Sequence, residues 1–270
     1  MPSRAMGGVE SDGSRPSMLH FAWEFPRVLF EVGRLACTWE LLVADNRRSS
    51  RCPVMVLPGF LGGDDSTLIL RRFLTRLGYT TLPWLQGQNT GQMELLDGAM
   101  RRFYRAHQVY GEKIALVGQS LGGIYAREIA REFPDAVRCV VTLGSPFAAD
   151  DDGAAIPAVQ ELFESMSGES VGALRDRLGG TDPRTPLGMP TTAIYSKTDG
   201  VAAWRACIDA DTVSSENVEV LASHTGMAMN PDVLAVVADR LAQDPANWQK
   251  FDRQQGLRCW VYPKPATHEA

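Results

Sequence analysis

The sequence predicts an α/β fold, a mostly parallel central sheet with helices on both faces and a small helical cap. Three observations carry that expectation. Short apolar runs of strand length recur from residue 53 onward and alternate with segments of helical periodicity. The runs are apolar throughout, the pattern of parallel strands covered on both faces. One junction, Gly118-Gln119-Ser120-Leu121-Gly122-Gly123, joins an apolar run directly to a helical segment.

Taken in order, PVMVLPGF at 53–60 reads as the first buried strand. Ser66 to Leu77 reads as a helix with Gly78 as its stop. YTTLPW is a strand, Gln92 to His107 a helix, KIALVG a strand, Ser120 to Phe133 a helix and VRCVVTLG a strand. TTAIYS and VEVLAS read as two more strands, and Asn230 to Ala242 as the closing helix. That helix opens on Asn-Pro-Asp, a capping side chain followed by a proline whose missing N–H costs nothing in a first turn. Between Leu143 and Thr191 lie about forty residues, too many for a simple connection. They hold two short helical patterns, Ala158–Met166 and Val171–Leu178, and the insertion at about 148–189 is expected to form a cap over the sheet.

The expected organisation is a disordered leader over 1–17, an amphipathic helix and linker over 18–52, the core over 53–243 and a tail over 244–270. Trp248, Phe251, Trp260 and Tyr262 imply that the tail packs. In the segment 23–43, Phe25, Val28, Leu29, Val32, Leu35, Trp39 and Leu42 recur at helical steps. Glu24, Arg27, Glu31 and Arg34 form a stripe of alternating sign, which reads as a solvated face. The expectation is a helix packed on the main domain. The alternative is peripheral contact with a membrane or lipid, which a balanced stripe favours less than a basic one would.

Composition narrows the function. The 270 residues carry 27 Lys and Arg against 32 Asp and Glu, a formal charge of −5, with no basic block. A nucleic-acid partner held through phosphates is therefore not expected. No apolar run approaches the roughly 18 residues of a membrane span. The polar leader lacks the apolar stretch of a secretory signal, so a cytoplasmic location is expected. The five cysteines are odd in number and widely spaced, as free thiols in a reducing compartment would be.

The chemistry centres on 118–123. A strand turning abruptly into a helix crowds the backbone, so the positions two before and two after Ser120 must be glycine. The turning serine is forced into a strained conformation that lifts its hydroxyl above the sheet edge, at a helix N-terminus suited to a developing oxyanion. Such a serine needs a base, and the base an orienting acid. Of four histidines, His224 alone follows a predicted strand and precedes the last helix, at the carboxyl edge where open α/β sheets bind ligands. Asp199, just past TTAIYS, is the acid candidate. Its rivals are Asp150, Asp151, Asp152, Asp209 and Asp211, and a plain Asx-type turn before Gly200 competes as an explanation of Asp199. The glycine-rich stretch 59–63 can aim a backbone N–H, that of Phe60, at Ser120, with the N–H of Leu121 as the second donor.

These segments resemble the α/β-hydrolase superfamily, in particular its lipase and esterase branch. GQSLGG is similar to its nucleophile elbow, VMVLPGF to its first strand and oxyanion loop, and VVTLGSPF to the segment after the next strand. YSKTDG and SHTGM are similar to its acid and histidine loops. The resemblance covers about 53–243 and departs at Pro58, where many members carry a histidine that props the oxyanion loop. It implies ester hydrolysis by Ser120, Asp199 and His224 through an acyl-enzyme, with an oxyanion hole of Phe60 and Leu121 N–H groups and no metal or organic cofactor. The expected partner is a small-molecule ester with an apolar acyl chain. Phe60, Leu61, Phe147 and Phe163 are the expected pocket residues, with Ile156, Val159, Leu162 and Met166 beside them on the cap. The same three residues would also serve a thioesterase, amidase or acyltransferase. A non-catalytic binding protein is the alternative of another class.

Overall fold

The computed structural model describes residues 15–46, 52–148, 155–168, 170, 173, 182 and 184–264. Among them, six strands form one sheet: β1 (Pro53–Leu57), β2 (Thr80–Leu82), β3 (Ile114–Gln119), β4 (Val137–Leu143), β5 (Thr191–Tyr195) and β6 (Ser215–Glu219). Their order is β2-β1-β3-β4-β5-β6 and every pairing is parallel. The helices are α1 (Met18–Ala22), α2 (Glu24–Asp45), α3 (Leu68–Arg76), α4 (Met93–Tyr110), α5 (Leu121–Glu132), α6 (Pro157–Ser167), α7 (Pro231–Ala242) and α8 (Arg258–Val261).

Why these residues form a covered sheet is visible in β1. All five of its residues are buried, and alternate side chains serve opposite layers. Val54 and Val56 join Phe73, Leu74 and the α7 valines on one face. Met55 and Leu57 join Leu96, Phe103 and Tyr125 on the other. The chain leaves β1 for the edge strand β2, then returns to β3 on β1's other side. The strand order thus reverses between β1 and β3, and the loops beyond that point open a crevice at the carboxyl ends of the strands. Leu57 pairs with Gly118, so the 58–63 loop and Ser120 leave the sheet side by side.

Some expectations need correction. The last strand is Ser215–Glu219, earlier than VEVLAS. Its polar residues disguised it: Glu216 is buried against Arg240 and Thr192, and Glu219 accepts from the Tyr195 hydroxyl. The stripe on α2 is also not a solvated face. Glu24 and Glu31 are buried, whereas Phe25, Leu29 and Phe30 are 72%, 61% and 68% exposed. From Leu35 onward α2 lies on the apolar core, where Trp39 meets Phe73 edge to face at 5.9 Å. Its first turns lie instead on loops whose N–H groups need acceptors, and carboxylates satisfy that need where apolar groups would not. Helix α2 therefore packs on the main domain.

The tail folds back as well. Tyr262 is buried, with its hydroxyl donating to the Asp232 carbonyl (3.0 Å) and its ring against Phe251. Of the cap, α6 matches the first helical pattern, while the pattern at 171–178 falls largely outside the described residues. The leader at 1–14 and the aspartates at 150–152 also lie outside them. The five cysteines carry no disulfide. Among the described residues, no helix is long and apolar enough to cross a membrane.

Phe73 tests this packing, because it is fully buried where α3 meets α2 and the sheet. Phe73→Ala is expected to lower the unfolding free energy by about 3–5 kcal/mol in urea denaturation. A loss below about 1 kcal/mol, the scale of an ordinary surface change, would contradict the packing of α3 described here.

Candidate active site

Ser120 follows β3 and is the residue from which α5 starts. Its backbone has φ 50° and ψ −123°, outside the right-handed region that other side chains prefer. The crowding argument holds at both neighbouring glycines. A Cβ at Gly118 would stand 2.2 Å from the Gly122 carbonyl oxygen, and one at Gly122 would stand 2.3 Å from that of Leu57. Backbone forms the obstacle in each case, so neither can yield cheaply. The Ser120 N–H donates to the Leu143 carbonyl at 2.8 Å, which ties the bend to β4.

His224 and Asp199 converge on this serine. His224 Nε2 lies 3.0 Å from Ser120 Oγ, and His224 Nδ1 lies 2.7 Å from Asp199 Oδ2. An ionised carboxylate can only accept, so Nδ1 carries the proton and Nε2 is left to accept from the serine hydroxyl. Asp199 is buried, and its other oxygen, Oδ1, accepts from Val201 N and Ala202 N, both at 2.8 Å. The Asx-type turn and the histidine contact thus coexist in one side chain. The rival Asp209 is in a buried ion pair with Arg127 (2.6 Å), and Asp211 pairs with Lys250 on the surface. Gln119 binds the two loops together by donating to the His224 carbonyl at 2.9 Å.

Burial opposes a charge on the His224 ring. The adjacent Asp199 carboxylate, and behind it that of Glu24, outweigh burial and raise the imidazole pKa above its ordinary value.

The 58–63 loop packs directly on the serine. A Cβ at Gly59 would stand 3.1 Å from Ser120 Cβ. Within this loop, the Leu61 N–H donates to the Asn89 carbonyl and the Gly62 N–H to the Gly59 carbonyl. Among the described residues, the Phe60 N–H is not spent in this way. Leu121 is the first residue of α5, so its N–H has no acceptor one turn back. Pro58 cannot prop the loop through its side chain, and Asn89 does so instead. Asn89 is fully buried, its amide donates to the Pro58 carbonyl (3.0 Å), and its backbone N–H donates to the Gly62 carbonyl (2.8 Å). Sequence reasoning missed Asn89, whose only signal in the sequence was an asparagine in a turn-rich stretch.

A cleft of about 570 Å³ opens over Ser120 and His224, within the range of small-molecule sites. Phe60, Leu61, Val159 and Leu162 line it, as does Phe21 from α1. Four residues expected at the pocket, Phe147, Ile156, Phe163 and Met166, are not in its lining. Phe163 is buried behind Phe60, 5.3 Å between ring centroids, in space that Gly91 leaves by having no side chain. Phe147 lies under the Arg127 guanidinium at 4.1 Å, packed with Ala148 and Ala193. Sequence spacing gave the apolar character of both but not the side of the helix or loop on which they fall.

The fold has counterparts among solved structures. Lipase B of Aspergillus fumigatus superposes with a TM-score of 0.56 at 16% identity, covering 75% of this chain and 56% of that one. This chain therefore spans little more than half the length of the fungal lipase. A monoacylglycerol lipase from Paleococcus ferrophilus gives 0.52 at 14% identity, covering 70% and 93%. A 2,6-dihydroxy-pseudo-oxynicotine hydrolase gives 0.57 at 16%, covering 73% and 62%. No protein-family model and no curated protein sequence matches the chain.

The His224 ring should titrate with a midpoint above the roughly 6.5 of a free imidazole. Replacing Asp199 by Asn leaves burial less opposed, and the midpoint should fall. Proton NMR of the ring resonances measures both, and a wild-type midpoint at or below the free value would contradict the arrangement.

Proposed function

We propose, taking as premise that the chain has the α/β-hydrolase fold, that it is a serine hydrolase cleaving carboxylic esters with an apolar acyl group. The observation that carries this reading is the chain of contacts Ser120 Oγ to His224 Nε2 to Asp199 Oδ2, at 3.0 and 2.7 Å, at the floor of an open apolar cleft.

The residues act in a defined order. An ester carbonyl enters the cleft, and Ser120 Oγ attacks its carbon as His224 Nε2 takes the hydroxyl proton. The carbonyl π pair moves onto oxygen, and the resulting oxyanion is met by the N–H groups of Phe60 and Leu121. Donors of this kind are typically worth about 10²–10³ in turnover each. Asp199 holds the ring in the tautomer that can accept, and stabilises the imidazolium once it forms. His224 then gives its proton to the departing alkoxide, which leaves as the alcohol. Water repeats the sequence on the acyl-enzyme, its proton passing through His224 to Ser120 Oγ as the acid is released.

The apolar lining favours an acyl chain over a charged one, because a carboxylate or ammonium buried there would lack partners. Structural neighbours that are lipases support the same class of substrate.

Hydrolysis of p-nitrophenyl butyrate tests the reading. Ser120→Ala and His224→Ala should each lower kcat by about 10³-fold or more while leaving the melting temperature near that of wild type. Asp199→Asn should also cause a large loss, through the wrong tautomer. A wild-type protein that turns over neither this ester nor its thioester analogue, or a Ser120→Ala variant with normal turnover, would overturn it.

A further inference from the structure

The amino-terminal helices take no part in the sheet, yet they grip both loops of the candidate site. Glu24 Oε1 accepts from the N–H of Gly200 (2.9 Å), next to Asp199, and from the N–H of His224 itself (3.1 Å). Glu24 Oε2 accepts from the N–H of Thr225 at 3.2 Å. Two turns later, Glu31 accepts from the N–H (2.6 Å) and the hydroxyl (2.5 Å) of Ser223. Arg27 donates to the Thr198 carbonyl, and to its hydroxyl at 2.7 Å. Three successive side chains on one face of α2 therefore hold residues 198–200 and 223–225.

The loops are shaped to receive the helices. A Cβ at Gly200 would stand 2.5 Å from the Phe21 backbone nitrogen, and one at Gly226 would stand 1.7 Å from Glu31 Oε2. A side chain at Gly200 would push the α1 backbone away, and one at Gly226 would drive the Glu31 carboxylate off Ser223. Glycine beside the acid and glycine beside the base thus serve one contact.

We propose that Glu24, with Glu31 behind it, is a positioning residue for His224, fixing the acid and histidine loops against each other so that the imidazole spans Asp199 and Ser120. The proposal rests on the hydrolytic reading of those three residues. A carboxylate suits the place for two reasons. The N–H groups of 200, 224 and 225 need buried acceptors, and one bidentate side chain reaches all three. Its negative charge also favours the imidazolium that forms when Ser120 gives up its proton.

The groups that set the charge around His224 come from several elements. Asp199 faces it from the loop after β5 and Glu24 from α2, both favouring the protonated ring. Arg27, 4.0 Å from Glu24, offsets part of that charge. Glu31 stands behind Ser223, with its carboxyl pushed up by burial against the hydrogen bonds from Ser223 and Asn230. The Cys207 thiol near Asp199 is pushed up by burial and stays uncharged.

The test compares the full chain with Glu24→Gln, Glu24→Asp and Glu31→Gln. Its readouts are p-nitrophenyl butyrate kinetics across pH, melting temperature, and the low-field NMR signal of the His224 Nδ1 proton. Glu24→Gln should lower kcat about ten-fold with KM within about two-fold, the signature of an effect on the reacting state. The acid limb should move to lower pH, and the low-field proton should broaden through faster exchange. Glu24→Asp, which keeps the charge, should restore the acid limb toward its wild-type position. Glu31→Gln should show the same kcat loss in smaller degree, which keeps the proposal testable should Glu24→Gln fail to fold. A fall in melting temperature with kcat, acid limb and Nδ1 signal all unchanged would mean a structural brace alone and overturn it. A wild type without turnover would sink the hydrolytic reading separately. The Nδ1 signal of wild type and Glu24→Gln would still decide whether Glu24 positions the ring.

Discussion

The hydrogen bond between His224 Nδ1 and the buried Asp199 carboxylate is the constraint on which the candidate site depends. It fixes which ring nitrogen carries the proton, and so makes the other an acceptor facing Ser120. Several contacts keep that bond in place. Asp199 spends its second oxygen on two N–H groups of its own turn, so the carboxylate cannot rotate away. Gln119 holds the His224 carbonyl from the serine side. Glu24 and Glu31 hold the backbone from the opposite side.

The serine is fixed by exclusion rather than by partners. Its positive φ is an unfavourable conformation that persists because the strand, the helix and the 58–63 loop leave no alternative. Gly118 and Gly122 exist to let three stretches of backbone meet within contact distance. The same crowding presses the 58–63 loop against Ser120 through Gly59. Steric economy at one strand–helix junction thus sets the relative position of Ser120 and the 58–63 loop, while hydrogen bonds set that of Ser120 and His224.

How much of this was legible in the sequence follows from the range of each interaction. The parallel sheet and the strand–helix junction at Ser120 rest on local patterns, and they were readable. The identity of Asp199 was ambiguous because its turn role and its histidine contact use different oxygens of one carboxylate, so neither excludes the other. Glu24 and Glu31 were misread for a physical reason. An alternating charged stripe has the same periodicity whether it faces water or a set of unpaired N–H groups, and the partners lie nearly two hundred residues away. Asn89 was hidden in the same manner, since a histidine's absence at Pro58 gives no hint of what replaces its support. Phe147 and Phe163 were readable as apolar and were expected to line the pocket, but the side on which each side chain packs is a tertiary property.

The most direct measurement is a crystal structure of the protein treated with an alkyl phosphonate ester that mimics the tetrahedral intermediate. The account predicts phosphorus bonded to Ser120 Oγ, the phosphoryl oxygen within hydrogen-bonding distance of the Phe60 and Leu121 N–H groups, His224 still bound to Asp199, and the alkyl chain against Val159 and Leu162. Modification at another residue, or an adduct at Ser120 with the phosphoryl oxygen turned away from both N–H groups, would contradict it.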